Sequence, residues 1–83
     1  MIYKVRFGKS AEKYLDKQTH QTRNRIKKAV HGLPNGDVKK LQGREGYRLV
    51  VGGFRILFDE LDCGNIVIFD IKAIGSRGDV YKK

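Results

Sequence analysis

The sequence predicts an α+β fold in which an N-terminal strand, a two-helix hairpin and a three-stranded antiparallel meander follow in that order, with both helices on one face of a single antiparallel-rich sheet. Three observations carry this. Residues 47–58 form two alternating runs joined by Gly52-Gly53, the pattern of a β-hairpin with a two-residue turn. Apolar residues between positions 11 and 33 recur at helical spacing. Residues 65–74 are the most apolar stretch of the chain, as expected of a strand in a sheet interior. Neither helices nor sheet of this size can bury an apolar side alone, so the helices cover one sheet face and leave the other to solvent. A chain of 83 residues buries roughly 60–65% of its unfolded surface, which leaves room for one modest core and one domain, residues 1–83.

Taken in order, Ile2 to Phe7 alternates, with Tyr3, Val5 and Phe7 on one side and Lys4 and Arg6 on the other, and Gly8 ends the strand. Ser10 is placed to cap a short helix in which Ala11, Tyr14, Leu15 and Gln18 share a face. Thr19 can cap a second helix carrying Ile26, Ala29, Val30 and Leu33, with Gly32 and Pro34 as its stop. The rest of that helix, Arg23, Arg25, Lys27 and Lys28, reads as a basic outer surface. His20 and His31 lie about three turns apart and do not share a site. Residues 38–46 lack a clear period and read as a basic loop around Leu41 and Gly43; residues 59–64 read as a turn and residues 75–83 as a glycine-punctuated tail.

With Gly52-Gly53 as the turn, Tyr47, Leu49, Val51, Phe54, Ile56 and Phe58 fall on the covered side of the hairpin. Arg48 and Arg55 fall on the other side as diagonal neighbours, about 7–8 Å apart at Cα. Asp70 and Lys72 join them from the last strand.

Lys+Arg 18 against Asp+Glu 9 gives a net charge of +9 and a pI of about 9.9. A field of that sign on so small a body points first to phosphate-rich partners. Cys63 is the only cysteine, so there is neither an internal disulfide nor a zinc ligand set; no metal and no cofactor is expected. The N-terminus interleaves charge with apolar residues, unlike a secretory signal, and no run approaches the roughly 18 apolar residues of a membrane span. A cytoplasmic protein without a membrane partner is expected.

An open face bearing arginines suits a ribose-phosphate backbone, because guanidinium forks bind phosphate bidentately and stay charged. The candidate RNA-binding cations around it are Lys39, Lys40 and Arg44 of the loop, Lys72 of the last strand and Lys82 of the tail. Aromatic side chains fall on the covered side by parity, which disfavours a base-stacking platform. The chain has no carboxylate pair, no Ser/His or Cys/His arrangement in a recognisable context and no phosphate loop. On the residues alone, nucleic-acid binding leads. Metal-free RNA cleavage stays open, since RNA supplies its own nucleophile in the 2′-hydroxyl and positioned charge can do much of the remaining work.

Lys40-Leu41-Gln42-Gly43, Gly46-Tyr47-Arg48-Leu49, Phe54-Arg55-Ile56-Leu57-Phe58 and the ending Ile74-Gly75-Ser76-Arg77-Gly78-Asp79-Val80-Tyr81 together resemble the RelE branch of the RelE/ParE toxin superfamily. The order of elements agrees over the whole chain. The resemblance implies the toxin of a type II toxin–antitoxin system: an endoribonuclease that enters the ribosomal A site, touches ribosomal RNA and cuts messenger RNA without a metal. It also implies a cognate RelB-like antitoxin. Carried over by position, the catalytic residues are Arg48, Arg55, Arg77 and Tyr81. Arg48 and Arg55 would hold the scissile phosphate, Arg77 would stabilise or protonate the leaving oxygen, and Tyr81 would orient or deprotonate the 2′-hydroxyl or stack on a base. The best-known members carry lysine at the first position and a second lysine two residues on, where this chain has Arg48 and Val50. A guanidinium is a poor general base, and Glu45, just before the hairpin, is the only plausible carboxylate in that region. Two other readings are a ParE-like inhibitor of DNA gyrase and a non-catalytic basic module that binds RNA.

Overall fold

The hairpin forms in the register that its alternation requires, with Tyr47 opposite Phe58, Leu49 opposite Ile56 and Val51 opposite Phe54. Gly52 carries φ +57°, a conformation that a side chain would strain, and so turns the chain between the two runs. The structure, a computed structural model, describes residues 2–76. Its elements in order are β1 (Ile2–Phe7), α1 (Lys9–Asp16), α2 (His20–His31), β2 (Asp37–Lys40), β3 (Tyr47–Val51), β4 (Phe54–Cys63) and β5 (Ile66–Ser76). The strands make one sheet in the order β1-β5-β4-β3-β2. All neighbours are antiparallel except β1 and β5, which run parallel. The α+β class, the helix-covered sheet and the interior position of the last strand are as expected.

The core lies between helices and sheet. Ala11, Leu15, Ile26, Val30 and Leu33 meet Leu49, Ile56, Phe58, Val67, Phe69, Ile71 and Ile74. Each of the larger side chains contributes roughly 1.5–3 kcal/mol by leaving water. Aromatic rings strengthen this layer: Tyr47 stacks on Phe58 at 5.6 Å, and Phe58 meets the edge of Phe69 at 5.7 Å. Thr19 caps α2 as expected, its side chain accepting from the Thr22 N–H at 3.2 Å.

Several sequence expectations are corrected. Residues 38–46 are not loop throughout: their start belongs to β2, which pairs with β3 and extends the meander to four strands. Residues 59–63 are not a turn but the second half of β4, zipped onto β5, and only Gly64 and Asn65 turn. Gly75 and Ser76 belong to β5 rather than to the tail. In each case the run was given order by pairing with the strand next to it in the chain. The first helix begins at Lys9 with Gly8 as its N-cap, not Ser10. The ladder between β1 and β5 runs on to Gly8, whose N–H donates to the Ile71 carbonyl at 2.8 Å, so the chain enters the helix at once. Arg23, counted with the basic outer surface, instead turns inward and donates from Nε to the Leu15 carbonyl and from Nη2 to the Gln18 carbonyl, closing the end of α1.

Candidate nucleic-acid interface on the open sheet face

Register fixes what the uncovered face displays. Three rows cross it: Arg6, Asp70 and Asp59; Leu57, Arg48 and Lys39; and Arg55, Val50 and Asp37. A bulge between Leu57 and Phe58 gives β5 one extra residue, keeping Ile71 and Ile74 in the core while Lys72 emerges on the open side. The aromatic residues of the described strands, from Tyr3 to Phe69, take the opposite parity and face the helices.

One half of this face is internally neutralised. Arg6 grips Asp70 with two donors, Nη2 to Oδ2 at 3.0 Å and Nε to Oδ1 at 3.4 Å. Lys72 reaches the same carboxylate at 3.0 Å and Asp59 at 3.9 Å. Asp70 is 6% exposed, yet the hydrogen bonds from Arg6 hold its carboxyl below the ordinary 3.8; burial opposes this and Lys72 adds to it. Lys72, expected among the RNA-binding cations, thus reaches the face but is engaged with carboxylates.

The other half is basic and concave. Lys39, Lys40, Leu41, Gln42, Arg44 and Arg48 line a depression of about 460 Å³. Lys39 stands directly across from Arg48. Lys40 pairs with Tyr47 on the alternate parity, but lies at the end of an edge strand, from which its long side chain still reaches the depression. The loop that carries Arg44 is closed by the Leu41 N–H donating to the Gly46 carbonyl at 3.0 Å. Lys39, Lys40 and Arg44 make no ion pair among the described residues. Arg55 shares the face diagonally, while its Nη1 donates to the carbonyls of Gly52 at 3.3 Å and Phe54 at 3.2 Å. Its guanidinium therefore leans toward its own turn rather than onto Arg48.

Arg77, Tyr81 and Lys82 lie outside the described residues. Ser76, the last described residue, pairs with Phe54 beside Arg55. His20, hydrogen-bonded to Asn24 at 3.1 Å, and His31, against the edge of Phe7, belong to α2. Among the described residues no group of three or more His, Cys, Asp or Glu side chains is placed to hold a metal, and no helix is long and apolar enough to cross a membrane. Sequence reasoning missed the Arg6–Asp70 pair, whose members are 64 positions apart, and placed Asp59 in a turn. Strand pairing alone would have disclosed both.

No protein-family model and no curated protein matches the chain. Solved structures do. A chain of the RelBE2 toxin–antitoxin complex of Mycobacterium tuberculosis is 20% identical and superposes with a TM-score of 0.70 over 93% of this chain and all of that one. A chain of the RelB–RelE complex of Methanococcus jannaschii is 27% identical, with a TM-score of 0.66 over 93% of this chain and 95% of that one. A chain of the RelE–RelB complex of Pyrococcus horikoshii is 21% identical, with a TM-score of 0.68 over 95% of this chain and 99% of that one. The chain has the fold of the RelE-like toxin superfamily.

Proposed function

We propose that the protein is the toxin of a toxin–antitoxin pair and acts as a ribosome-dependent endoribonuclease in the cytoplasm. The observation that carries this reading is the basic depression of Lys39, Lys40, Arg44 and Arg48 on the open face of a RelE-type fold. A single-stranded messenger lies across this face. Arg48, joined by Arg55 once that side chain exchanges its carbonyl partners for phosphate, stabilises charge on the equatorial oxygens of the scissile group. The adjacent 2′-hydroxyl is the nucleophile, so the reaction requires no metal. The family resemblance adds Arg77 and Tyr81 to the catalytic residues. In the solved complexes RelE stands with RelB. For this chain we infer a RelB-like antitoxin whose acidic, amphipathic segments complement a body of net charge +9.

Brief induction followed by mapping of messenger 5′ ends tests the reading. Cuts within translated codons, absent when translation is blocked beforehand, are expected. DNA damage without messenger cutting would point instead to a gyrase inhibitor, and binding of RNA without cutting to a non-catalytic module.

A further inference from the structure

The first basic position of the proposed site is an arginine and the second is Val50, so neither supplies a proton acceptor for the 2′-hydroxyl. The fold brings a carboxylate to this gap. Arg48 stands opposite Leu57, and its two diagonal neighbours on β4 are Arg55 on one side and Asp59 on the other. Such diagonals are about 7–8 Å at Cα, within reach of an arginine side chain. Phosphate cations and carboxylate therefore share one face of the same two strands.

Asp59 is built into a recess rather than left on a rim. Leu41, Arg44, Glu45, Gly46, Leu57 and Lys72 contribute to a hollow of about 290 Å³ around it, next to the basic depression and sharing Leu41 and Arg44 with it. Gly46 makes room: a Cβ there would stand 3.0 Å from Asp59 Oδ1, and its φ of +112° also excludes ordinary side chains. Lys72 is drawn chiefly to Asp70, at 3.0 Å against 3.9 Å to Asp59. It orients the Asp59 carboxylate without capping it, and 39% of that side chain remains exposed. Glu45 borders the same hollow from an exposed loop, where positioning is poorer than on a strand.

Resting on the ribonuclease reading above, we infer that Asp59 is a further catalytic residue, the general base that takes the proton of the 2′-hydroxyl. The 2′-oxygen then bonds to phosphorus, and the bond from phosphorus to the 5′-oxygen breaks with its electron pair going to that oxygen. A proton from solvent completes the leaving hydroxyl, and the product carries a 2′,3′-cyclic phosphate. No oxidant, metal or co-reactant enters.

The test is single-turnover cleavage of messenger on programmed ribosomes across pH, using the full chain and its Asp59→Asn, Asp59→Glu and Glu45→Gln variants, with ribosome binding and thermal unfolding measured alongside. A lost base typically costs 10²–10⁴ in rate, so Asp59→Asn is expected to slow cutting by about 100-fold or more while binding normally. The acidic limb of the pH profile should vanish in Asp59→Asn, return shifted in Asp59→Glu, and persist in Glu45→Gln. Lys72 and Asp70 on β5, Arg44 and Glu45 on the loop and Arg48 on β3 face Asp59, and persistence in Glu45→Gln separates it from the other nearby exposed carboxylate. An Asp59→Asn rate within a few-fold of the parent, or an unchanged acidic limb in Asp59→Asn, overturns the assignment. Should Asp59→Asn not fold, the shift in Asp59→Glu decides alone, and an unshifted limb overturns it. Cutting by the parent with no response at Asp59 refutes only the base; no cutting by the parent removes the ribonuclease reading and this inference with it.

Discussion

The two halves of the open sheet face contain the same kinds of side chain and use them oppositely. Toward β1, Arg6 and Lys72 are held by Asp70 and Asp59 in a chain of contacts at 3.0, 3.0 and 3.9 Å. Toward β2, Lys39, Lys40 and Arg44 line a concave basic surface without an ion pair among the described residues. The difference teaches that positive charge stays out of ion pairs only where strand pairing sets no carboxylate within reach of it. Composition, which counts eighteen basic residues, cannot make that distinction. Asp59, at the boundary, belongs structurally to the neutralised half and chemically to the other.

Three experiments can break or sharpen the contrast. The largest effect is expected from Arg48→Ala. Removing one donor to developing charge costs about 10²–10³ in rate, so messenger cutting should fall by that factor while thermal unfolding is nearly unchanged. Retained cutting would remove Arg48 from the site. A smaller effect follows from salt. Each phosphate contact on a single strand contributes about 0.7 to the slope of log affinity against log salt. Lys39→Ala and Lys40→Ala should each flatten the slope for a short single-stranded RNA by about that amount, whereas Lys72→Met should leave it alone because its ammonium is held by Asp70. An equal loss in all three variants would dissolve the distinction between the halves.

The smallest effect concerns stability and acid. The Asp70 carboxyl titrates below 3.8 in the fold, so its contribution is complete above that ordinary value and is lost as pH falls through the lower folded one. Asp70→Asn should lower the melting temperature modestly at neutral pH and flatten the acid limb of the stability curve below about pH 4. Thermal melts from pH 2.5 to 7 would show it, and parallel curves for parent and variant would contradict it.

Much of the architecture was legible because local rules and tertiary packing agree. The alternation across Gly52-Gly53 set the hairpin register residue for residue, the spacing of Ile26 and Val30 set the buried side of α2, and the parity of Arg48 and Arg55 put both on the uncovered face. The elements misread were those whose order comes from elsewhere in the chain. Residues 37–40 and 59–63 are too polar to announce a strand, and become strands because β3 and β5 offer them unpaired backbone groups.

The sequence by itself thus determined the α+β class, the covered and bare sides of the hairpin and the basic character of the bare side, since side-chain period and charge are written locally. Only the tertiary structure decided which cations are neutralised and which remain available. That depends on pairings such as Arg6 with Asp70 across 64 positions and on the bulge that brings Lys72 out of the core. It also decided that Asp59 stands on the same face as Arg48, because a carboxylate's role is set by what strand pairing places beside it.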